Sequence, residues 1–127
     1  MKKQTYNSNM KNDFKKRLYV FTLKLILEFI DKLQKYDNVA DKLADQLIRS
    51  GTSIIANYVE AQSASSKKDY TNFFNHALKS ANESKLWIGL LRGSGRTKNI
   101  DTAWFLSELD EFSKILASSI LTLKNKR

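Results

Sequence analysis

The residues most able to do chemistry are polar side chains that recur on one face of a predicted helix over 46–61. They follow one another at steps of four, four and three, so they share one helix face. Apolar residues fill the stripes on both sides, so we expect these polar residues to lie between packed neighbours rather than in open water. We call this set the polar seam; its members are Arg49, Ser53, Asn57 and Glu60.

The polar seam has a functional and a structural interpretation. An arginine, a serine, an asparagine and a glutamate could form a pocket, with Glu83 of the next predicted helix completing it. The same groups could instead satisfy one another through an Arg–Glu ion pair and hydrogen bonds, and so set helix register. We favour the structural network, because buried ion networks are more often structural than catalytic.

The inventory of reactive side chains argues against an enzyme. The chain has no cysteine and one histidine, His76. A zinc or di-iron centre would need ligands paired across facing helices, which one histidine and scattered glutamates do not supply. The sequence therefore predicts no catalytic residue, no metal and no cofactor. The turn Gly93-Ser94-Gly95 lacks the lysine–threonine ending of a nucleotide-binding loop, and it follows a helix rather than a strand.

The charge of the chain indicates a polyanionic partner. The 127 residues hold 22 Lys and Arg against 13 Asp and Glu, a net charge of +9. Seven basic residues and one acidic residue fall within the first 24 positions. Such clusters attract nucleic-acid phosphates, anionic membranes or acidic proteins, although solubility alone is the plainer explanation. The residues that we expect to contact phosphate are Lys15, Lys16, Arg17, Lys68, Lys79, Arg96 and Lys98.

The hydrophobic pattern predicts an all-α fold. Residues 1–12 are predicted to form a flexible basic arm, and residues 13–127 a single domain. Within that domain, 3.6-residue periodicity and capping signals place helices at about 14–36, 38–63, 66–92 and 100–124, with Gly93 as a C-cap. Short links between long helices favour an up-down-up-down antiparallel four-helix bundle. No signal segment or membrane-spanning run is predicted.

Surplus apolar surface predicts a homo-oligomer. Helix 1 is apolar around most of its circumference, more than one bundle can cover, and further apolar residues of helix 3 lie off its core stripe. The expected contact residues are Val20, Leu27, Leu86, Trp87 and Leu90. Gly51 is unfavourable in mid-helix, which indicates that a neighbouring helix approaches closely there.

One set of residues within 46–91 forms a recognisable pattern: Gln46, Leu47, Arg49, Ser53, Ile54, Ala56, Asn57, Glu60, Ser66, Lys67, Lys68, Asp69, Tyr70, Ala77, Leu78, Ala81 and Glu83. By this pattern the region resembles a family of small four-helix-bundle proteins encoded in intervening sequences of bacterial 23S ribosomal RNA genes. The family usually has glycine where Ala61 stands. One branch comprises the accessory variability proteins of diversity-generating retroelements, basic pentamers that bind nucleic acid and a reverse transcriptase. The resemblance implies a bacterial homopentamer, makes RNA or DNA binding an expectation, and implies no catalytic activity.

These observations lead to one main hypothesis and two alternatives. The main hypothesis is a non-catalytic, cytoplasmic homo-oligomer, a pentamer by resemblance, that binds RNA or DNA through phosphate contacts. The first alternative is a scaffold whose partner is a protein such as a reverse transcriptase. Attachment to a membrane surface is weaker, because the polar face of helix 1 is too narrow.

Overall fold

A computed structural model describes residues 2–125 of this protein, with side chains described from residue 13 onward, and all its regular structure is helical. The four α-helices are α1 (Lys2–Lys24), α2 (Asn38–Gln62), α3 (Lys67–Gly93) and α4 (Thr102–Asn125). No strand occurs in the described residues, so the predicted all-α class and the number of helices are confirmed. Over the same residues, no helix combines the length and apolarity needed to cross a membrane.

The first helix differs most from the prediction. It begins at Lys2 rather than near residue 14, and its α-helical part ends at Lys24. A π-helical turn (Leu25–Phe29) and a 3-10 turn (Ile30–Lys32) follow, and Leu33 then adopts an extended conformation. The side chains of the arm predicted over residues 1–12 lie outside the described part, so its flexibility stays a prediction.

The ends of the helices follow from capping chemistry. The side chain of Asp37 accepts a hydrogen bond from the Ala40 backbone N–H at 3.0 Å, which caps α2. Ser66 caps α3 in the same way, through the Asp69 backbone N–H at 3.1 Å. At the other end of α3 the left-handed residue is Gly95, with φ 77°, rather than the predicted Gly93. Gly95 lets the chain turn back, so that the Arg96 backbone N–H reaches the Leu91 carbonyl at 3.0 Å.

One continuous cluster of aromatic and aliphatic side chains forms the core. The ring of Phe14 meets Tyr58 edge-on at a centroid distance of 5.1 Å, and Phe29 meets Phe105 at 5.2 Å. Burial of each such side chain contributes about 1.5–3 kcal/mol. The largest side chains that are completely enclosed are Phe21, Phe29, Phe112, Leu18, Leu25, Leu47, Ile54, Ile88, Leu91, Leu109 and Leu116.

Polar and aromatic contacts join the helices. Between α2 and α3, Ser50 meets Ser84 and Tyr58 meets Phe74. Phe14 of α1 meets Phe112 of α4, and Phe29 of the π-helical turn meets Phe105 of α4.

Candidate nucleic-acid interface

Five of the seven residues predicted to contact phosphate are free to do so. All five are exposed lysines, and none has an ion-pair partner among the side chains from 13 to 125. An unpaired ammonium group gives up no internal ion pair when it approaches a phosphate. These lysines are Lys15, Lys16, Lys68, Lys79 and Lys98.

Arg17 instead joins α1 to α4. Its Nη2 atom lies 2.6 Å from Oε2 of Glu108, and its guanidinium lies 5.7 Å from the centre of the Phe112 ring. A charge-assisted hydrogen bond and a cation–π contact both favour this arrangement. Arg17 is therefore a structural residue in the single chain, and its predicted phosphate contact would require it to leave Glu108.

Arg96 is likewise engaged within the chain. Its Nε atom donates to Oδ2 of Asp37 at 2.8 Å, while Oδ1 of the same carboxylate caps α2. The Ala40 backbone N–H, followed by the Arg96 side chain, lowers the pKa of the Asp37 carboxyl from its ordinary value of 3.8. One aspartate thus joins the α3–α4 loop to the start of α2. From the sequence the cap of this helix is either Asp37 or Asn38; the structure selects Asp37 and adds the ion pair, which sequence reasoning missed because the partners are separated by 59 positions.

The basic surplus is uneven along the chain. Residues 13–125 hold 17 basic and 13 acidic residues, a surplus of four. The other five basic residues fall in the terminal stretches 1–12 and 126–127, which contain no acidic residue; they are Lys2, Lys3, Lys11, Lys126 and Arg127. The side chains of these residues lie outside the described part of the structure. Most of the net charge therefore belongs to the two ends of the sequence.

The polar seam is not buried in the single chain, contrary to the prediction. Arg49 and Glu60 are exposed, and no ion pair joins Arg49 to Glu60 or Glu83 within the described residues. The bonds observed within the seam run from Nδ2 of Asn57 to the Ser53 carbonyl at 2.8 Å and to its Oγ at 2.9 Å. The expected Arg–Glu network is therefore absent from the single chain, because α3 packs against a neighbouring face of α2.

That neighbouring face carries the buried polar contact that sequence reasoning missed. The hydroxyl oxygens of Ser50 and Ser84 lie 2.8 Å apart, and either group can donate. Ser84 is completely buried, and when Ser50 donates to it, its own proton is available for the Ser80 carbonyl at 2.9 Å. A stripe of small residues marks this contact in the sequence, with Gly51 beside Ser50 and Ala81 beside Ser80. This stripe could have predicted the contact, because small side chains let two helices approach closely.

Ser53 and Asn57 of the polar seam line an open groove between α2 and α3, with a volume of about 430 Å³. Lys79 and Glu83 contribute one positive and one negative group to it, and the exposed His76 lies on its α3 side. No group of histidine, aspartate and glutamate residues in the described part could hold a metal ion. The groove is lined by Ser53, Asn57, His76, Lys79, Ser80 and Glu83.

Of the five residues predicted at the oligomer contact, four are exposed: Val20, Leu27, Leu86 and Leu90. Trp87 is half-buried and packs against the core, and its indole N–H has no hydrogen-bond acceptor within the described residues. The structure adds an apolar groove of about 480 Å³ between α1 and α2. Tyr19, Leu23 and Val59 line it, and sequence reasoning had not selected them.

Comparison with known proteins agrees with this fold. No curated protein sequence is significantly similar to the chain. A crystal structure of a protein of unknown function from the S23 ribosomal protein family, from Bacteroides thetaiotaomicron VPI-5482, superimposes with a TM-score of 0.72 and 31% sequence identity. The match covers 87% of this chain and 96% of that one. The sequence profile of the 23S rRNA-intervening sequence protein family matches residues 10–118, and the chain therefore belongs to that family.

Proposed function

We propose that this protein is a non-catalytic, basic subunit of a homo-oligomer that binds RNA or DNA through phosphate contacts. The observation that carries the proposal is a set of five exposed lysines that form no ion pair within the described residues. They are Lys15, Lys16, Lys68, Lys79 and Lys98. The family name, which refers to intervening sequences of 23S rRNA, supports an association with RNA. Contacts of this kind follow the backbone and give no base specificity.

The bundle that carries these lysines is of the up-down-up-down type. Opposed pairing of Ser50 with Ser84 and of Tyr58 with Phe74 supports an antiparallel α2–α3 pair. Pairing of Lys85 with Asp110 and of Asn82 with Ser113 supports the same relation between α3 and α4. In this topology the N- and C-termini share one end of the bundle.

That shared end concentrates positive charge. Lys15 and Lys16 on α1, Lys68 at the start of α3 and Lys124 at the end of α4 all lie toward it. The terminal stretches 1–12 and 126–127 contain five further basic residues and no acidic residue. Lysines gathered at one end can neutralise several phosphates of one nucleic acid at once. More counter-ions are then released on binding than if the same lysines were spread evenly over the surface. The main phosphate contact is therefore assigned to this end, whereas Lys79, midway along α3, and Lys98, in the α3–α4 loop, lie outside it.

Two separate apolar surfaces support assembly into a ring. The first lies on α1 and the π-helical turn that follows it, where Val20 is 46% and Leu27 58% exposed, and the second lies on α3, where Leu86 is 53% exposed. Contact between two different surfaces is heterologous, and repeated heterologous contacts close into cyclic oligomers. The pentameric number comes from the family resemblance alone.

Light scattering of the purified protein tests this proposal. We expect an oligomer that gains the mass of a short structured RNA at low salt and loses it at moderate salt, because counter-ion release drives the binding. An oligomer that ignores RNA at both salt concentrations would contradict the nucleic-acid function. A monomer would contradict the ring.

The apolar groove between α1 and α2 favours one second candidate, a scaffold for another protein. Tyr19, Leu23 and Val59 leave apolar surface that a partner helix could cover. Partners recovered with the protein after nuclease treatment would support this candidate. Partners that nuclease treatment removes would support the phosphate-binding function instead.

A further inference from the structure

Tyr36, in the connection between α1 and α2, is held in an unfavourable backbone conformation with its side chain in solvent. Its exposed fraction is 100%, and its φ is 65°. It is the one non-glycine residue with positive φ among the described residues. Glycine or asparagine adopts this conformation far more readily than tyrosine. The fold therefore gains nothing from tyrosine here, and a strained residue with an exposed ring is an indication of function.

The connection that carries Tyr36 is anchored at Leu33, three residues before it, and at Asp37, directly after it. Leu33 is buried, and its backbone N–H donates to the Ile30 carbonyl at 3.2 Å. Asp37, the next residue, caps α2 and accepts from Arg96 at 2.8 Å. Because the backbone is anchored directly after Tyr36, at Asp37, the ring is presented to a ligand with a smaller loss of conformational entropy on binding than a ring in an unanchored loop.

The charges around Tyr36 define which contact this ring could make. Lys35 precedes it, and the Asp37–Arg96 pair brings the basic α3–α4 loop, with Lys98, to the same region. Asp31, Asp41 and Asp45, however, line a depression beside Lys35. The mixture of signs is unsuited to strong phosphate binding, whereas a planar ring open on both faces is suited to stacking.

We propose that Tyr36 stacks on an unpaired base, and so gives this protein a preference for single-stranded over double-stranded RNA or DNA. The inference rests on the proposed nucleic-acid function and adds the class of nucleic acid. Aromatic rings stack on bases of any sequence, because every base presents a flat face. Bases inside a duplex are already stacked and cannot reach the ring. The stacking contribution should also be nearly independent of salt, unlike the lysine contacts.

Binding of two probes, a short oligouridine and a blunt RNA duplex, tests the proposal in the full chain. The variants are Tyr36→Gly, which removes the ring and relieves the backbone strain, and Tyr36→Phe, which retains the ring. We expect Tyr36→Gly to bind oligouridine about tenfold more weakly, by the same factor at low and moderate salt, and to bind the duplex as the wild type does. Tyr36→Phe should bind both probes as the wild type does.

Thermal unfolding of the same proteins excludes a folding defect. Because glycine accepts positive φ, Tyr36→Gly should melt at or above the temperature of the wild type. If wild type and Tyr36→Gly bind oligouridine equally, the stacking role is wrong while the phosphate-binding function stands. If the wild type binds neither probe, the proposed function itself is wrong, and the stacking role with it.

Discussion

Gly51 of α2 lies directly against the side chain of Leu25, the residue at which α1 passes into its π-helical turn. A methyl group at Gly51 would overlap Cδ2 of Leu25, which is completely buried. The predicted close approach at Gly51 is therefore confirmed, and its partner is the π-helical turn that follows α1. Since the enclosed Leu25 has little room to move, this contact sets how near α1 can come to α2.

Replacement of Gly51 should therefore destabilise the protein in spite of a better helix propensity. We expect Gly51→Ala to lower the free energy of unfolding by about 1–2 kcal/mol, since overpacking outweighs the gain in propensity. Gly89 is the matched control: it lies within α3, and an added methyl group meets nothing within 4 Å. Gly89→Ala should raise the free energy of unfolding by about 1 kcal/mol. Urea denaturation measures both, and a stabilised Gly51→Ala protein would contradict the contact.

The buried hydroxyl pair Ser50–Ser84 should behave as a coupled unit. Each single change to alanine leaves the other hydroxyl with fewer partners and should cost about 1 kcal/mol. The double variant should cost less than the sum of the two by about 0.5 kcal/mol or more, as a double-mutant cycle measures. Ser113→Ala, which removes an exposed hydroxyl bonded to Asn82, should change stability by less than about 0.5 kcal/mol. Strict additivity of the two buried changes would show that the hydroxyls do not interact.

The lowered pKa of Asp37 predicts a loss of stability in acid. The carboxylate binds fewer protons in the folded than in the unfolded state, so its contribution is complete above its ordinary pKa of 3.8 and disappears as the pH falls through the lower folded value. Asp37→Asn retains a good cap but loses the charge that Arg96 binds. We expect the wild type to be more stable than Asp37→Asn near neutral pH, and the difference to decrease below pH 3.8 and to vanish once the pH is below the lowered pKa of the folded state. A difference that persists unchanged in acid would contradict the ionised Asp37–Arg96 pair.

The unpaired lysines at the charged end predict a specific salt dependence. Lys15→Gln with Lys16→Gln should flatten the plot of log affinity against log salt by about 0.7–0.9 for each phosphate that the variant no longer neutralises. Lys114→Gln is the control, since Lys114 lies 3.6 Å from Glu111 on α4 and was not assigned to the interface. Fluorescence anisotropy with labelled RNA at several salt concentrations gives both slopes. Equal slopes for the lysine pair variant and the control would move the phosphate-binding surface elsewhere on the molecule.

A ring built from two different apolar surfaces predicts complementation between variants. Leu27→Glu damages the α1 surface and Leu86→Glu the α3 surface, so each variant alone should be a monomer. A mixture of the two variants should form a dimer and no larger assembly. The intact α3 surface of Leu27→Glu can bind the intact α1 surface of Leu86→Glu, and no further intact surface remains. Leu121→Glu is the control, at a leucine on α4 that is 62% exposed and outside both surfaces. Size-exclusion chromatography with light scattering distinguishes these species, and a ring formed by either single variant would exclude its surface from the contact.

Local patterns in the sequence predicted most of the architecture. The 3.6-residue periodicity, the cap at Asp37 and the capping box at Ser66 depend on residues a few positions apart, so the helices α2, α3 and α4 could be placed from them. The exposed lysines at 15, 16 and 68 also follow from local pattern, because a charge on the outer stripe of an amphipathic helix stays in solvent.

Tertiary structure decided which face of each helix meets its neighbour. The face of α2 that packs toward Ser84 carries Ser50 and Gly51, which are buried. Arg49 and Glu60, on the same helix, are exposed to solvent. Tertiary structure also paired Arg17 with Glu108 and Arg96 with Asp37, across 91 and 59 positions. By itself the sequence determined the helices and the sign of the charge. Only packing decided which charges remain available to a partner, because that depends on distances between residues far apart in the chain.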